Sequence, residues 1–144
     1  MRVDFYQLAR DPAETALCAI AERSLAIGER LLIVSADKAQ RARISKALWA
    51  HRPESFLAHG DAGSGDDARQ PILIAAVPEA TNGARFLALA DGQWREGAGF
   101  ARIFLLFDDA SIAAARRSWR ELGTRAGVER RFWVQQGRGW RERS

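Results

Sequence analysis

Several residue types are scarce in this 144-residue sequence, and each scarcity excludes a class of protein. The one cysteine, Cys18, cannot form an internal disulfide, which argues against a disulfide-stapled secreted fold. His51 and His59 are the only two histidines, and neither has the spacing to a cysteine that metal sites use. No apolar run reaches the roughly 18 residues that a membrane span needs, and the N-terminus lacks the layout of a signal peptide. We therefore expect a cytoplasmic protein that needs no metal or cofactor and does not enter a membrane.

Lysine is almost absent, and arginine carries nearly all of the positive charge. Only Lys38 and Lys46 are lysines among 22 basic residues. The charge is uneven, because residues 1–100 have a net charge of −1 whereas residues 101–144 have 10 basic and 5 acidic side chains. Arginine pairs equally well with carboxylates and phosphates, so the C-terminal third predicts an anionic partner without identifying it. A solvated arginine-rich surface with no partner is the alternative interpretation.

Hydrophobic residues make up 47% of the chain, and their pattern alternates between strands and helices. Strands are predicted at Val3–Leu8, Arg30–Val34, Pro71–Ala76, Phe86–Leu89, Ile103–Phe107 and Arg131–Gln135. Helices are predicted from the Asp11-Pro12 start to Gly28, from Lys38 to Trp49, and from Asp108-Asp109 to about Arg125. This order predicts a single α/β domain over residues 1–144, with a mainly parallel sheet and helices on both faces. We expect a Rossmann-like fold without a nucleotide-binding loop.

Two sequence features imitate catalytic motifs. Gly60 and Gly65 have the spacing that begins a phosphate-binding loop, but Asp66 and Asp67 stand where that loop needs lysine and serine or threonine. Asp108-Asp109 follows a strand, where magnesium ligands often lie, but we favour helix capping as the explanation of the pair. Cys18 falls in the apolar phase of a helix, so we expect a buried thiol. We find no catalytic motif and expect that the chain is not an enzyme.

The last predicted helix has a pattern suited to an anionic ligand. Arg116 and Arg120 share one helix face, and Trp119 lies one turn from Arg116. Cations beside an aromatic side chain suit an acidic peptide that ends in an apolar residue, and they also suit single-stranded nucleic acid. Alternatively, Trp119 belongs to the core and the arginines are merely solvated.

Several short segments, taken in order, make the chain resemble the chi subunit of bacterial DNA polymerase III over nearly its whole length. These segments are Asp4-Phe5-Tyr6, Ala47-Leu48-Trp49, Pro53-Glu54-Ser55-Phe56-Leu57-Ala58-His59, Gln70-Pro71-Ile72, Phe104–Phe107, Ala115-Arg116 with Trp119, Trp133 and Gly139-Trp140. The resemblance implies an accessory subunit of the DNA polymerase that has no catalytic role of its own. Chi-like proteins form a heterodimer with the psi subunit, which tethers them to the clamp loader. They also bind the acidic C-terminal tail of single-stranded DNA-binding protein (SSB), which ends in phenylalanine.

The resemblance also assigns sites. Trp49 and Phe56, on either side of Pro53, match the family's psi-binding aromatics, and aromatic anchors of this kind are typical interface hot spots. Arg116 matches the arginine that receives the SSB tail, with Trp119 beside it and Leu105 near the pocket wall. Ile112 replaces the family's basic residue one turn before the arginine, a loss for which Arg117 and Arg120 can compensate.

Three functions therefore stay open at the level of sequence. The first is the replication adaptor, for which we expect only a weak, indirect association with DNA. The second is a direct single-stranded DNA-binding protein that uses the arginine-rich C-terminal third. The third, a small hydrolase or nucleotidyl enzyme on the same fold, lacks a titratable cluster to support it.

Overall fold

The computed structural model of the chain describes residues 1–51 and 57–143. Its strands are β1 (Arg2–Gln7), β2 (Leu31–Val34), β3 (His59–Asp61), β4 (Ile72–Ala75), β5 (Phe86–Leu89), β6 (Arg102–Phe107), β7 (Glu129–Gln136) and β8 (Gly139–Arg143). Its α-helices are α1 (Ala13–Ala26), α2 (Lys38–Ala50) and α3 (Ile112–Leu122). Short 3₁₀ turns lie at Asp67–Arg69 and Asp109–Ser111.

The strands form one eight-stranded sheet in the order β3-β4-β2-β5-β6-β1-β7-β8. Every neighbouring pair is parallel except β7 with β8, which form an antiparallel hairpin at one edge. The predicted α/β class and the mainly parallel sheet are confirmed. In the described residues, no helix is both long enough and apolar enough to cross a membrane.

The sheet separates two apolar layers, because successive side chains of a strand point to opposite faces. Tyr6, Phe104 and Leu106 pack with α1 and α2 on one face. Phe5, Leu105 and Phe107 pack with α3 on the other. We call these the α1 face and the α3 face, and the partition matters because any surface built on α3 is separated from α1 by the sheet.

Two helix boundaries lie elsewhere than the sequence predicted, and a third agrees with its prediction. Pro12, in an extended conformation, is the N-cap of α1, while the Asp11 carboxylate accepts a hydrogen bond from Gln135 instead of capping the helix. Helix α3 ends at Leu122 rather than near Arg125, because the Thr124 and Arg125 amides bond to carbonyls three residues back instead of four. Asp108 does cap its helix start, since it accepts from the Ala110 amide in a capping box with Ser111, so the capping interpretation is confirmed.

Strands β3 and β8 were absent from the sequence predictions. Both are edge strands, which pair on one side only and need no continuous apolar run. β3 is three residues long with Gly60 at its centre, and β8 is mostly charged. Gly137, with a φ of +59°, lies in the turn that joins β8 to β7, a left-handed conformation that glycine adopts without strain.

A buried carboxylate connects three neighbouring strands of the sheet, β6, β1 and β7. Asp4 on β1 is fully buried and accepts hydrogen bonds from Arg2 on its own strand, from Arg102 on β6 at 2.8 Å, and from the Trp133 indole on β7 at 2.9 Å. The two arginines compensate its charge, and the indole occupies a further acceptor position. Asp4 therefore fixes how β6 and β7 sit against β1.

Candidate protein-interaction surfaces

Helix α3 presents a strip of arginines to solvent because its opposite side is anchored in the core. Ala115 and Leu122 are buried on the α3 face of the sheet, whereas Arg116 and Arg120 are exposed. At about 100° per residue, Arg120 lies about 40° around the helix from Arg116. The two guanidinium groups therefore lie along one line of the surface, one turn apart.

Trp119 lies at the border between the core and this strip. Its ring makes edge-to-face contacts with Phe5 at 5.2 Å and with Phe132 at 5.5 Å between centroids. The ring is nevertheless only partly buried. Trp119 thus anchors α3 to the sheet, as the core interpretation expected, and still contributes an apolar surface beside Arg116.

Arg130, on β7, is a neighbour of this surface that sequence reasoning missed. Its guanidinium lies 4.1 Å from the centre of the Trp119 ring and donates a hydrogen bond to the Trp119 carbonyl at 2.6 Å. Such a cation–π contact holds the indole in place. Only the sheet register, which sets Arg130 beside Val3 of β1, places this arginine near α3.

The exposed arginines of α3, which are Arg116 and Arg120 of the strip and Arg117 beside it, are not paired with anions of the described residues. Within residues 1–51 and 57–143, the side chains of Arg116, Arg117 and Arg120 form no ion pair or hydrogen bond. Arg125, just beyond the helix, differs because it pairs with Glu96 at 2.6 Å. That bond and another from Trp94 lower the pKa of Glu96 to about 2. The strip is therefore the part of this region with cations available to an external anion.

Two residues that the resemblance assigns to the SSB-tail site, Leu105 and Arg117, do not lie on the surface beside Trp119. Leu105 is fully buried in β6 and packs on the α3 face, so it forms the floor beneath the helix rather than a contact surface. Arg117 is exposed but lies about 100° around the helix from Arg116, away from Trp119. Ile112 is partly buried about one turn before Arg116, on the same side as Trp119. An apolar rim of Ile112 and Trp119 thus borders the cationic strip.

A second candidate surface lies at the end of α2. Trp49 is 58% exposed, whereas its neighbour Leu48 is buried in the core. The Trp49 ring lies 4.6 Å from the ring of His59 on β3, between centroids. His59 is itself held by Ser45 at 2.8 Å and by the Leu57 carbonyl at 2.9 Å, so both ring nitrogens are engaged and the ring is fixed beside Trp49. Pro53 and Phe56, the other residues expected here, lie outside the described residues.

The residues that imitate catalytic motifs have structural roles. The Asp67 carboxylate accepts hydrogen bonds from the Thr81 hydroxyl at 2.7 Å and from the Gly63 amide, and these bonds lower the pKa of Asp67. Cys18 is buried as expected, and its burial raises the pKa of the thiol. Among the described positions, no group of three or more histidine, cysteine or acidic side chains is placed to hold a metal ion.

Comparison with known proteins agrees with the resemblance of the sequence. The family described as DNA polymerase III chi subunit, HolC, matches residues 1–129. A curated relative, DNA polymerase III subunit chi of Escherichia coli (strain K12), is 40% identical over 62 residues. That match covers 43% of this chain and 42% of the relative, so it spans less than half the length of either protein. Because the family match extends over most of the sequence, the chain belongs to the DNA polymerase III chi subunit family.

Proposed function

We propose that this protein is a non-catalytic adaptor of DNA replication that binds the acidic C-terminal tail of SSB through α3 and the psi subunit through the surface around Trp49. Through psi it is joined to the clamp loader. Its place of action is the cytoplasm. The proposal gives the chain two separate surfaces, so that both partners can be held at once.

The observation that carries the tail-binding half is the cationic strip beside an apolar rim on α3. Arg116 and Arg120 have no anionic partner in the described parts of the chain, and Ile112 and Trp119 border them. An acidic peptide that ends in phenylalanine carries a terminal carboxylate next to an apolar ring. The carboxylate suits a guanidinium fork, and the ring suits the rim.

The psi-binding half is supported by the exposure of Trp49. A large aromatic side chain that is 58% exposed is a typical anchor for a partner protein. Its ring lies beside β3, at the edge of the sheet opposite β8, on the helix layer that the sheet separates from α3. The two surfaces are therefore separated by the sheet, and occupation of one need not block the other.

We expect Trp49→Ala to weaken psi binding by about 2 kcal/mol or more, because it removes a hot-spot anchor. The affinity for an SSB-tail peptide should stay unchanged. Isothermal titration of the variant against psi and against the peptide measures both effects. Loss of both affinities together would indicate misfolding, and an unchanged psi affinity would contradict the assignment of this surface.

A further inference from the structure

A groove that the adaptor function does not use runs between α1 and the β7–β8 hairpin, on the α1 face of the sheet. One wall comes from Glu22 and Arg23 of α1, and the other from Arg138 and Trp140. The cavity has a volume of about 620 Å³. A second cavity of about 320 Å³ shares Tyr6, Arg23 and Arg102 with it, so the two are continuous along α1.

The groove has more available cations than anions. The carboxylate on its wall, Glu22, pairs with His51 at 2.7 Å, and the Asp4 carboxylate, fully buried behind the lining, is bonded to Arg2 and Arg102. Within residues 1–51 and 57–143, the Arg138 side chain makes no hydrogen bond or ion pair, and the Arg23 side chain makes one hydrogen bond, from its Nε to the Ala19 carbonyl at 3.4 Å. Arg102 donates to Asp4 through its Nε and lies with its guanidinium 4.5 Å from the centre of the Phe104 ring, so only its terminal nitrogens are left for a further hydrogen bond. Guanidinium nitrogens on both walls therefore remain available to an external anion.

Aromatic rings of fixed orientation line the same groove. Trp133 and Trp140 are partly exposed, and both pack on the buried Tyr6 ring. The Trp133 ring stacks with Tyr6 at 6.3 Å between centroids, and the Trp140 ring meets it edge-on at 4.8 Å. The indole nitrogen of Trp133 is held by Asp4. The two indoles are thus oriented before any ligand binds, which lowers the entropic cost of stacking a ligand on them.

We propose that this groove binds single-stranded nucleic acid, with phosphates on Arg23, Arg102 and Arg138 and unpaired bases stacked against Trp133 and Trp140. Cations that follow the backbone and aromatic rings that stack on bases are the two elements of sequence-independent single-strand binding. An acidic peptide ending in phenylalanine would use the cations, but its one terminal ring could stack on only one of the two indoles, whereas successive bases of a single strand can stack on both. The proposal is independent of the SSB-tail site, because the sheet lies between the groove and α3.

The test is fluorescence anisotropy of a labelled oligothymidylate of about 12 nucleotides, titrated with the full chain. We expect Arg23→Glu and Arg138→Glu each to weaken binding at least about fivefold, since each replaces a phosphate contact with repulsion. Arg69→Glu is the matched control, because it makes the same charge change on a side chain that is 85% exposed at the opposite edge of the sheet. Binding should also quench tryptophan fluorescence, and Trp140→Ala should reduce this quenching.

The outcomes separate this proposal from the adaptor function. In support, the groove variants lose oligonucleotide affinity and keep their affinity for an acidic peptide ending in phenylalanine. Equal losses in Arg69→Glu and Arg23→Glu would show unspecific attraction by net charge and overturn the proposal. The proposal would also be overturned if the protein bound no oligonucleotide, or if a groove variant lost affinity for the peptide and kept its affinity for the oligonucleotide. A failure of Arg116→Glu to affect peptide binding would count against the tail site alone.

Discussion

Arg116→Glu is expected to lower the affinity for an acidic SSB-tail peptide by about 1.5–3 kcal/mol, which is roughly a tenfold to hundredfold loss. The substitution removes a charge-assisted hydrogen bond and adds repulsion against the peptide. Arg116 is exposed and has no partner within the described residues, so its replacement should not disturb folding. Fluorescence anisotropy of the labelled peptide measures the loss, and the thermal unfolding midpoint should stay close to that of the parent chain.

Two further variants make the Arg116 result specific. Arg69→Glu makes the same charge change on the opposite sheet edge and should leave peptide affinity nearly unchanged. Arg117 lies on α3 but faces away from Trp119. We therefore expect Arg117→Glu to cause an intermediate loss of peptide affinity, because it changes the electrostatic field without removing a direct contact. If Arg116→Glu bound the peptide as tightly as the parent chain does, the assignment of the tail site to α3 would be wrong. If all three variants lost the same peptide affinity, the effect would come from the net charge of the protein and not from a specific contact.

Asp4→Asn is expected to destabilise the fold by about 2–3 kcal/mol, which is below the roughly 3–5 kcal/mol typical of breaking a buried ion pair. The substitution leaves Arg2 and Arg102 facing each other without a compensating anion. These two side chains remain 30% and 25% exposed, so partial rehydration limits the loss. The free energy of unfolding from urea denaturation measures the effect.

The control for Asp4 is Glu129→Gln, which also neutralises a carboxylate paired with an arginine. Its pair with Arg131 is 3.0 Å long, but both side chains are well exposed. Exposed pairs contribute little, so we expect a loss below about 0.5 kcal/mol. Similar losses in the two variants would contradict the view that the buried carboxylate organises β1, β6 and β7.

The sequence predicted the centre of the sheet well because buried strands have a clear pattern. Leu31–Val34, Ile72–Ala75 and Phe86–Leu89 are each fully buried, and each lies within a short apolar run. Edge strands do not need a continuous apolar run, and β3 and β8 were missed for that reason. The end of α3 was placed too late because the chain continues past Leu122 in tighter turns, which the hydrophobic pattern does not distinguish from an α-helix.

The candidate sites were harder to predict, since they depend on contacts between distant parts of the sequence. The exposure of Arg116 and Arg120 follows from helical spacing around Ala115 and Leu122. The contact between the Arg130 guanidinium and the Trp119 ring does not follow from helical spacing, because it depends on the register of β7 with β1. The same holds for Asp4, whose partners Arg102 and Trp133 are 98 and 129 residues away in the chain. Leu105 was expected near a ligand because the resemblance matches residues along the sequence and gives no information on which side chains are buried.

The most direct test of the adaptor account is a titration of this protein into a labelled acidic SSB-tail peptide ending in Pro-Phe, at low and high salt. The account predicts micromolar affinity that falls as salt rises, because the arginine contacts are screened. It also predicts that deleting the terminal phenylalanine abolishes binding, since the apolar ring and its carboxylate then no longer meet α3. Absence of binding to the intact peptide, or equal binding to the truncated one, would contradict the account.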